Sequence, residues 1–487
     1  MLFSGPFAWR LERCLARGRR NKIKQDDQGP AVVLPPRTCL LLLTLVLLLS
    51  IFFNLFEMTY VPNGLFFDAA AYSADAVIAS KSNHYEVFYS ENNGREGLFI
   101  NMQAVVMRFA SWPPRSVLLA LSGLSGTATV MGLYFLASRL YNCNVGLLSS
   151  FFLSISFWHV AFSRFGLRAI QAAMFTVWFL YVLIAALEYR GSRRKGLLLA
   201  ALAGFLYGLG WHTYIAFRST LLVVTGVYLL YARDDTCWAR LSEYRWKAIT
   251  FAGCASLAFL PLGLHFLSVP TDFIKRIAQS ADLQTFSGLY GACREMIKSL
   301  IFYSTVGDWE CLYGGASPRY LAVPFVLLVA AGGVWVSSRG RHQRSTSIII
   351  LLFASGFLTG TLSGAPFHSL RTETVLLSVC MTAAIGFLFL ADLAGGRLPA
   401  KATGALLLGV LVLQSYYGYF VDWSHRPQPK RNSARIVWRL RGPLTPYRPK
   451  SPSMSFSGRT GPRRWTFPCQ RSSSTCSRTL ACRRKDA

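Results

Sequence analysis

Apolar runs long enough to cross a bilayer recur along most of this chain, and they leave it few ways to fold. Most hold roughly 17 to 22 residues, enough for a helix to span a hydrocarbon core of about 30 Å. Lipid offers no hydrogen bonds to the backbone, so such spans must satisfy their own as α-helices. They fall at about 38–56, 116–137, 145–162, 170–188, 197–211, 214–232, 248–268, 319–337, 346–363, 372–391 and 402–421. That makes roughly eleven spans, with 197–232 read either as one broken hairpin or as two short helices. Composition agrees. The chain is 53% hydrophobic and 15% charged, whereas a soluble domain carries about a quarter charged residues. The sequence predicts an all-α polytopic transmembrane bundle.

Basic residues set its orientation. Arg10, Arg13, Arg17, Arg19, Arg20, Lys22 and Lys24 precede the first span and place the N-terminus in the cytoplasm. Alternate loops agree, with Arg190/Arg193/Arg194/Lys195, Arg233/Arg240/Arg245/Lys247 and Arg339/Arg341/Arg344 on the same side. A leader of over thirty residues, and Glu57-Met58-Thr59-Tyr60 after the span, do not read as a cleaved signal peptide. The expected setting is therefore a cell inner (plasma) membrane, multi-pass, with loops 57–115 and 269–318 outside the cytoplasm. The net charge of +29 lies in topology-setting loops and in the tail, with no recognition motif beside it, so nucleic acid is not an expected partner.

Three regions follow: a basic cytoplasmic leader (1–37), a transmembrane module (38–421) and a tail (422–487). In the first external loop, Ala69, Tyr72, Ala76 and Ala79 share a helical face, with Asp68 and Asp75 off it. Residues 97–110 form a second amphipathic stretch, and two helices lying along the membrane surface fit both. From His425 onward the tail is rich in Arg, Ser and Pro and nearly free of acids, a composition that buries no core. Its basic residues fall on the expected outer side, which suggests a non-native reading frame past about 426. The 11 cysteines show no CxxC pair; Cys293 and Cys311 share an external loop and can pair there or stay as thiols.

Charge near a bilayer is costly and usually handles a substrate or an ion. Asp68 follows the first span, and Glu91-Asn92-Asn93-Gly94-Arg95-Glu96-Gly97 forms a compact turn beyond it. Arg95, Arg164, Arg168, Arg218 and Arg371 are expected at external helix ends, beside Tyr214, His212 and His368. Any one arginine can instead snorkel or cap a helix. A ring of guanidinium forks at one membrane face matches the phosphate of a lipid-linked substrate. Asp68 and Glu96 are the best placed carboxylates, with Glu91, Asp75 and Glu86 behind them. Arginines around a phosphate and a poised carboxylate suit group transfer, the acid removing the acceptor's proton and the cations stabilising the leaving group. Nucleotide, metalloprotease, hydrolase and calcium-loop motifs are absent, and the histidines do not sit at metal-ligand spacing.

In order, Asp68, ENNGREGLFIN (91–101), SFWHVAFSRFGLRA (156–169) and GLGWHTYIAFR (208–218) resemble bacterial membrane glycosyltransferases of the GT-C fold. The resemblance is to the family-39 and protein-mannosyltransferase-like group, whose relatives include the lipid A aminoarabinose transferase. It covers about 38–421. It implies a polyprenyl-phosphate sugar as donor, an acceptor protein, lipid or glycan, and transfer outside the cytoplasm. Asp68 would be the catalytic aspartate of the first loop, Arg95 and Glu96 the GRE segment, and Arg164, Arg168, Tyr214 and Arg218 the later signatures. Many members carry a second acid directly after that aspartate, where this chain has Ala69. If that acid serves a metal or the acceptor, Glu96 must replace it. No cofactor is fixed, and a divalent cation stays open. Two other readings are a transporter or flippase for a lipid-linked sugar and an inactive relative.

Overall fold

The computed structural model describes residues 35–61, 65–91, 94–233, 238–278, 323–338, 344–361, 369–394 and 398–424. The chain enters helix α1 (Pro36–Leu55) and α4 (Pro114–Leu140) through a proline in the first turn, where the missing N–H is no loss. Between them lie α2 (Phe67–Ser82), a two-stranded hairpin of β1 (Phe88–Tyr89) and β2 (Arg95–Glu96), and α3 (Leu98–Phe109). The bundle continues with α5 (Cys143–Ile155), α6 (Phe157–Phe165), α7 (Ala169–Glu188), α8 (Arg193–Gly210), α9 (Thr220–Arg233) and α10 (Trp238–Ser268). It closes with α11 (Pro270–Ala278), α12 (Val323–Ser338), α13 (Arg344–Thr361), α14 (Val375–Leu393) and α15 (Leu398–Tyr416), which runs on as a π-turn to Trp423.

This is a multi-pass helical membrane protein, and within the described residues each of the eleven apolar runs is largely helix. Among the described residues, seven helices are long and apolar enough to cross a membrane, or eight if a bent pair counts as one span. The remainder of the expected eleven is lost for local reasons. Helix α8 opens on Arg193-Arg194-Lys195, and the apolar parts of α12 and α13 are short. The run expected at 145–162 is the bent pair, α5 and α6 meeting at 58° around Ser156. Asn142 caps α5 by accepting from the Asn144 and Val145 amides at 3.1 and 3.0 Å, one of the most favoured N-cap arrangements.

Helices α7 and α4 are the most enclosed spans, whereas α10 and α15 are each only 17% buried. The rim helices turn Leu257, Leu264 and Leu267 of α10 and Leu406 and Leu413 of α15 outward, as lipid-facing surfaces require. The two loop helices form where expected. Ala69, Tyr72, Ala76 and Ala79 make the buried face of α2, while Phe67, Ile78, Val105, Phe109 and Trp112 stay exposed, consistent with helices lying in a membrane interface. Cys39 and Cys143 form a disulfide between the starts of α1 and α5. Cys293, Cys311, the leader up to residue 34, the tail beyond residue 424 and all but the first residues of loop 269–318 lie outside the described residues.

Candidate functional site

The GRE turn is built by the hairpin. Gly94 sits at φ +85, and a Cβ there would fall 2.2 Å from the Phe88 ring, so only glycine makes this turn. Phe88 pairs with Glu96 and Tyr89 with Arg95. Phe88 also packs against Leu262 and Phe266 of α10, which fixes the hairpin on the bundle. Successive strand residues face opposite ways, and here both faces are buried, with Arg95 and Glu96 only 1% and 2% exposed.

Arg95 turns toward α2. Its Nη2 lies 2.8 Å from Asp75 Oδ2 and 3.7 Å from Glu91, and its guanidinium stands over the Tyr72 ring at 5.7 Å. Its Nε and Nη1 groups are buried without a hydrogen-bond acceptor, which is uncommon for charged donors. Glu96 turns the other way, pairing with Arg168 through Oε2 and standing 3.8 Å from Arg218 through Oε1. Arg168, just before α7, lies over the Tyr72 and Tyr214 rings at 5.8 and 5.5 Å. Arg218 donates to the Phe273 carbonyl of α11 at 3.1 Å. Three arginines therefore converge on the buried Glu96 and the half-buried Asp75, with Tyr72 touching two of them.

Asp68 lies in the first turn of α2, half-buried, where the helix dipole favours a carboxylate. Asp68, Tyr72 and Asp75 fall at i, i+4 and i+7, one stripe of the helix, with Asp75 about 10 Å further along the axis. Ala69 is turned 100° away into the core and is fully buried. The second acid on the Asp68 stripe is thus Asp75. Read from the residues alone, Asp75 ranks behind Asp68 because its i+7 relation means little until Tyr72 and Arg95 are seen between them.

The other expected residues take different positions. Arg164 donates to the Phe53 carbonyl at 2.9 Å and the Val61 carbonyl at 2.7 Å, and lies over Phe420 at 4.9 Å. It satisfies the Phe53 carbonyl in the last turn of α1 and the Val61 carbonyl in the segment beyond it, rather than meeting the cluster. Gly166, at φ +71, ends α6 and sends Arg164 and Arg168 to different partners. His212 Nε2 donates to the Ala258 carbonyl at 3.0 Å, and burial lowers its pKa, leaving the ring neutral. His159 donates to the Gly126 carbonyl at 3.1 Å, and His265 pairs with Asp272 at 3.1 Å. Arg371 follows α13, where its carbonyl accepts from Thr359 at 2.7 Å, and His368 lies outside the described residues. Among the described residues no three carboxylates, imidazoles or thiols assemble to hold a metal ion.

Two expectations follow. Arg164→Ala should cost roughly 2–3 kcal/mol by stranding two carbonyls, read as a lower melting temperature in detergent; an unchanged melting curve would contradict the capping role. Burial pushes the Asp75 carboxyl up to about 6, against the opposing pull of Arg95. A raised acid favours the fold when protonated, so its contribution is greatest below the ordinary carboxylate range and is lost as pH rises through about 6. Wild type and Asp75→Asn should melt alike below about pH 4, and the gap should open between about pH 4 and 6 and stay level above that, with the variant more stable. A pH-independent gap between them would rule this out.

The helical fold has counterparts among solved structures. No protein-family model matches the chain, and no curated protein does. The oligosaccharyltransferase of Archaeoglobus fulgidus in its apo form superposes with a TM-score of 0.55 at 12% identity, over 81% of this chain and 57% of that one. The archaeal oligosaccharyltransferase AglB from the same organism, in complex with an inhibitory peptide and a dolichol-phosphate, gives 0.53 at 13%, over 81% and 56%. ArnT from Cupriavidus metallidurans, bound to undecaprenyl phosphate, gives 0.53 at 15%, over 78% and 64%. The chain has the GT-C fold. It spans less than two thirds of the length of these GT-C proteins, and at such identities the likeness shows the fold alone.

Proposed function

We propose that this GT-C protein is a glycosyltransferase moving a sugar from a polyprenyl-phosphate donor to an acceptor hydroxyl on the extracytoplasmic side. The observation that carries the reading is the convergence of Arg95, Arg168 and Arg218 on one hairpin beside the Asp68 stripe. The fold is shared with structures holding dolichol-phosphate and undecaprenyl phosphate, which supports a lipid phosphate as the ligand class. Asp68 takes the proton from the acceptor hydroxyl, whose oxygen attacks the anomeric carbon as the bond to the phosphate oxygen breaks. The leaving phosphate keeps the electron pair and is stabilised by Arg95, whose Nε and Nη1 donors lack acceptors, and by Arg218. Glu96 holds Arg168 and Arg218 in place, Asp75 holds Arg95, and Tyr214 and His212 line the approach. Arg164 acts on the fold rather than on the substrate.

The test incubates purified protein in vesicles with a panel of radiolabelled polyprenyl-phosphate sugars and candidate acceptors. Release of polyprenyl phosphate with labelled acceptor supports the enzyme. Movement of the intact lipid-linked sugar across the vesicle without that release would establish a transporter in its place.

A further inference from the structure

Helix α8 ends at Gly210, next to the charged cluster, and begins at Arg193, about 25 Å away along its axis. At that far end Arg193, Arg194, Leu197, Leu198 and Ala201 of α8 and Thr250 of α10 line an open groove of about 420 Å³. The α8 positions recur at three- to four-residue spacing and so form one stripe, two cations at its polar end and aliphatic side chains below. One turn before Thr250, the exposed Trp246 ring lies 5.4 Å from the Arg193 guanidinium and 5.7 Å from that of Arg245. Tryptophan at such a place marks headgroup depth. Glu243, an acid on the adjoining turn of α10, is engaged by Lys247 at 2.6 Å, so the groove keeps its positive charge.

We propose that this groove is a binding site for an anionic phospholipid, its phosphodiester held by Arg193 and Arg194 and one acyl chain lying along Leu197, Leu198 and Ala201. Guanidinium forks match phosphate oxygens, and basic pockets between spans select anionic over zwitterionic headgroups. The site is independent of the transferase reading and stands or falls separately from it.

The test is native mass spectrometry of the full chain, delipidated in detergent and then offered phosphatidylglycerol, phosphatidylcholine or inorganic phosphate. Phosphatidylglycerol should be retained in preference to phosphatidylcholine. Replacing both arginines (Arg193→Ala with Arg194→Ala) should weaken that retention roughly thirty-fold, while Arg233→Ala, an exposed arginine at the end of α9, should leave it unchanged. Leu198→Trp keeps both charges and fills the groove from an exposed position, so it should lose the lipid even if the double variant fails to fold. Equal retention of the two lipids, undiminished binding in the double variant or Leu198→Trp, or displacement of the lipid by inorganic phosphate would overturn the proposal.

Discussion

Asp68→Asn should slow sugar transfer by about a hundred- to ten-thousand-fold, the range expected when a general base is lost, while leaving insertion and melting temperature close to wild type. Position 68 is in the first turn of α2, half-buried at the edge of the packed face formed by Ala69, Tyr72, Ala76 and Ala79. Asparagine keeps the shape and the hydrogen-bonding capacity there but cannot take a proton at neutral pH. The decisive measurement is single-turnover release of polyprenyl phosphate, because it separates chemistry from donor binding. Asp75→Asn is the internal control. It sits two turns along the same stripe and touches Arg95, so it should weaken donor binding more than it slows the chemical step. Transfer that survives Asp68→Asn but fails in Asp75→Asn would move the base from the helix start to the arginine cluster.

Much of this arrangement was legible in the residues themselves. The apolar runs marked the helices because a bilayer allows almost nothing else, and the alanine spacing of 68–80 correctly gave the buried face of α2. The pairing of Arg95 and Glu96 with other charges was foreseeable from two charged neighbours inside a glycine-bounded turn. Their division was not. It depends on strand alternation, which two residues cannot announce as a pattern. Arg164 illustrates the harder case. Four residues before Arg168, it would share that residue's face if the helix continued, but Gly166 takes a left-handed conformation and ends α6 between them. One guanidinium then closes the end of α1 and the other meets Glu96. Residue type and spacing identified cations near one membrane face, and only the fold decided which of them meet a carboxylate and which meet backbone carbonyls.

Glu96→Gln carries the second large expectation, and it concerns stability. Glu96 is a single carboxylate shared by two cations from different elements, Arg168 before α7 and Arg218 in the 3-10 turn Ile215–Ser219 before α9. Arg168 is only 1% exposed, so removing its counter-charge leaves a buried cation unpaired, a loss of about 3–5 kcal/mol. Glutamine preserves volume and one hydrogen-bond acceptor, which confines the change to charge. Adding Arg168→Gln should recover part of the loss, since the double variant no longer strands a cation, and the non-additivity in a double-mutant cycle measures the pair directly. If Glu96→Gln melts like wild type yet fails to release polyprenyl phosphate, the carboxylate acts in the reaction instead of holding the arginines. If it loses stability and the double variant regains it, Glu96 is the anchor that keeps two phosphate-directed cations on one hairpin.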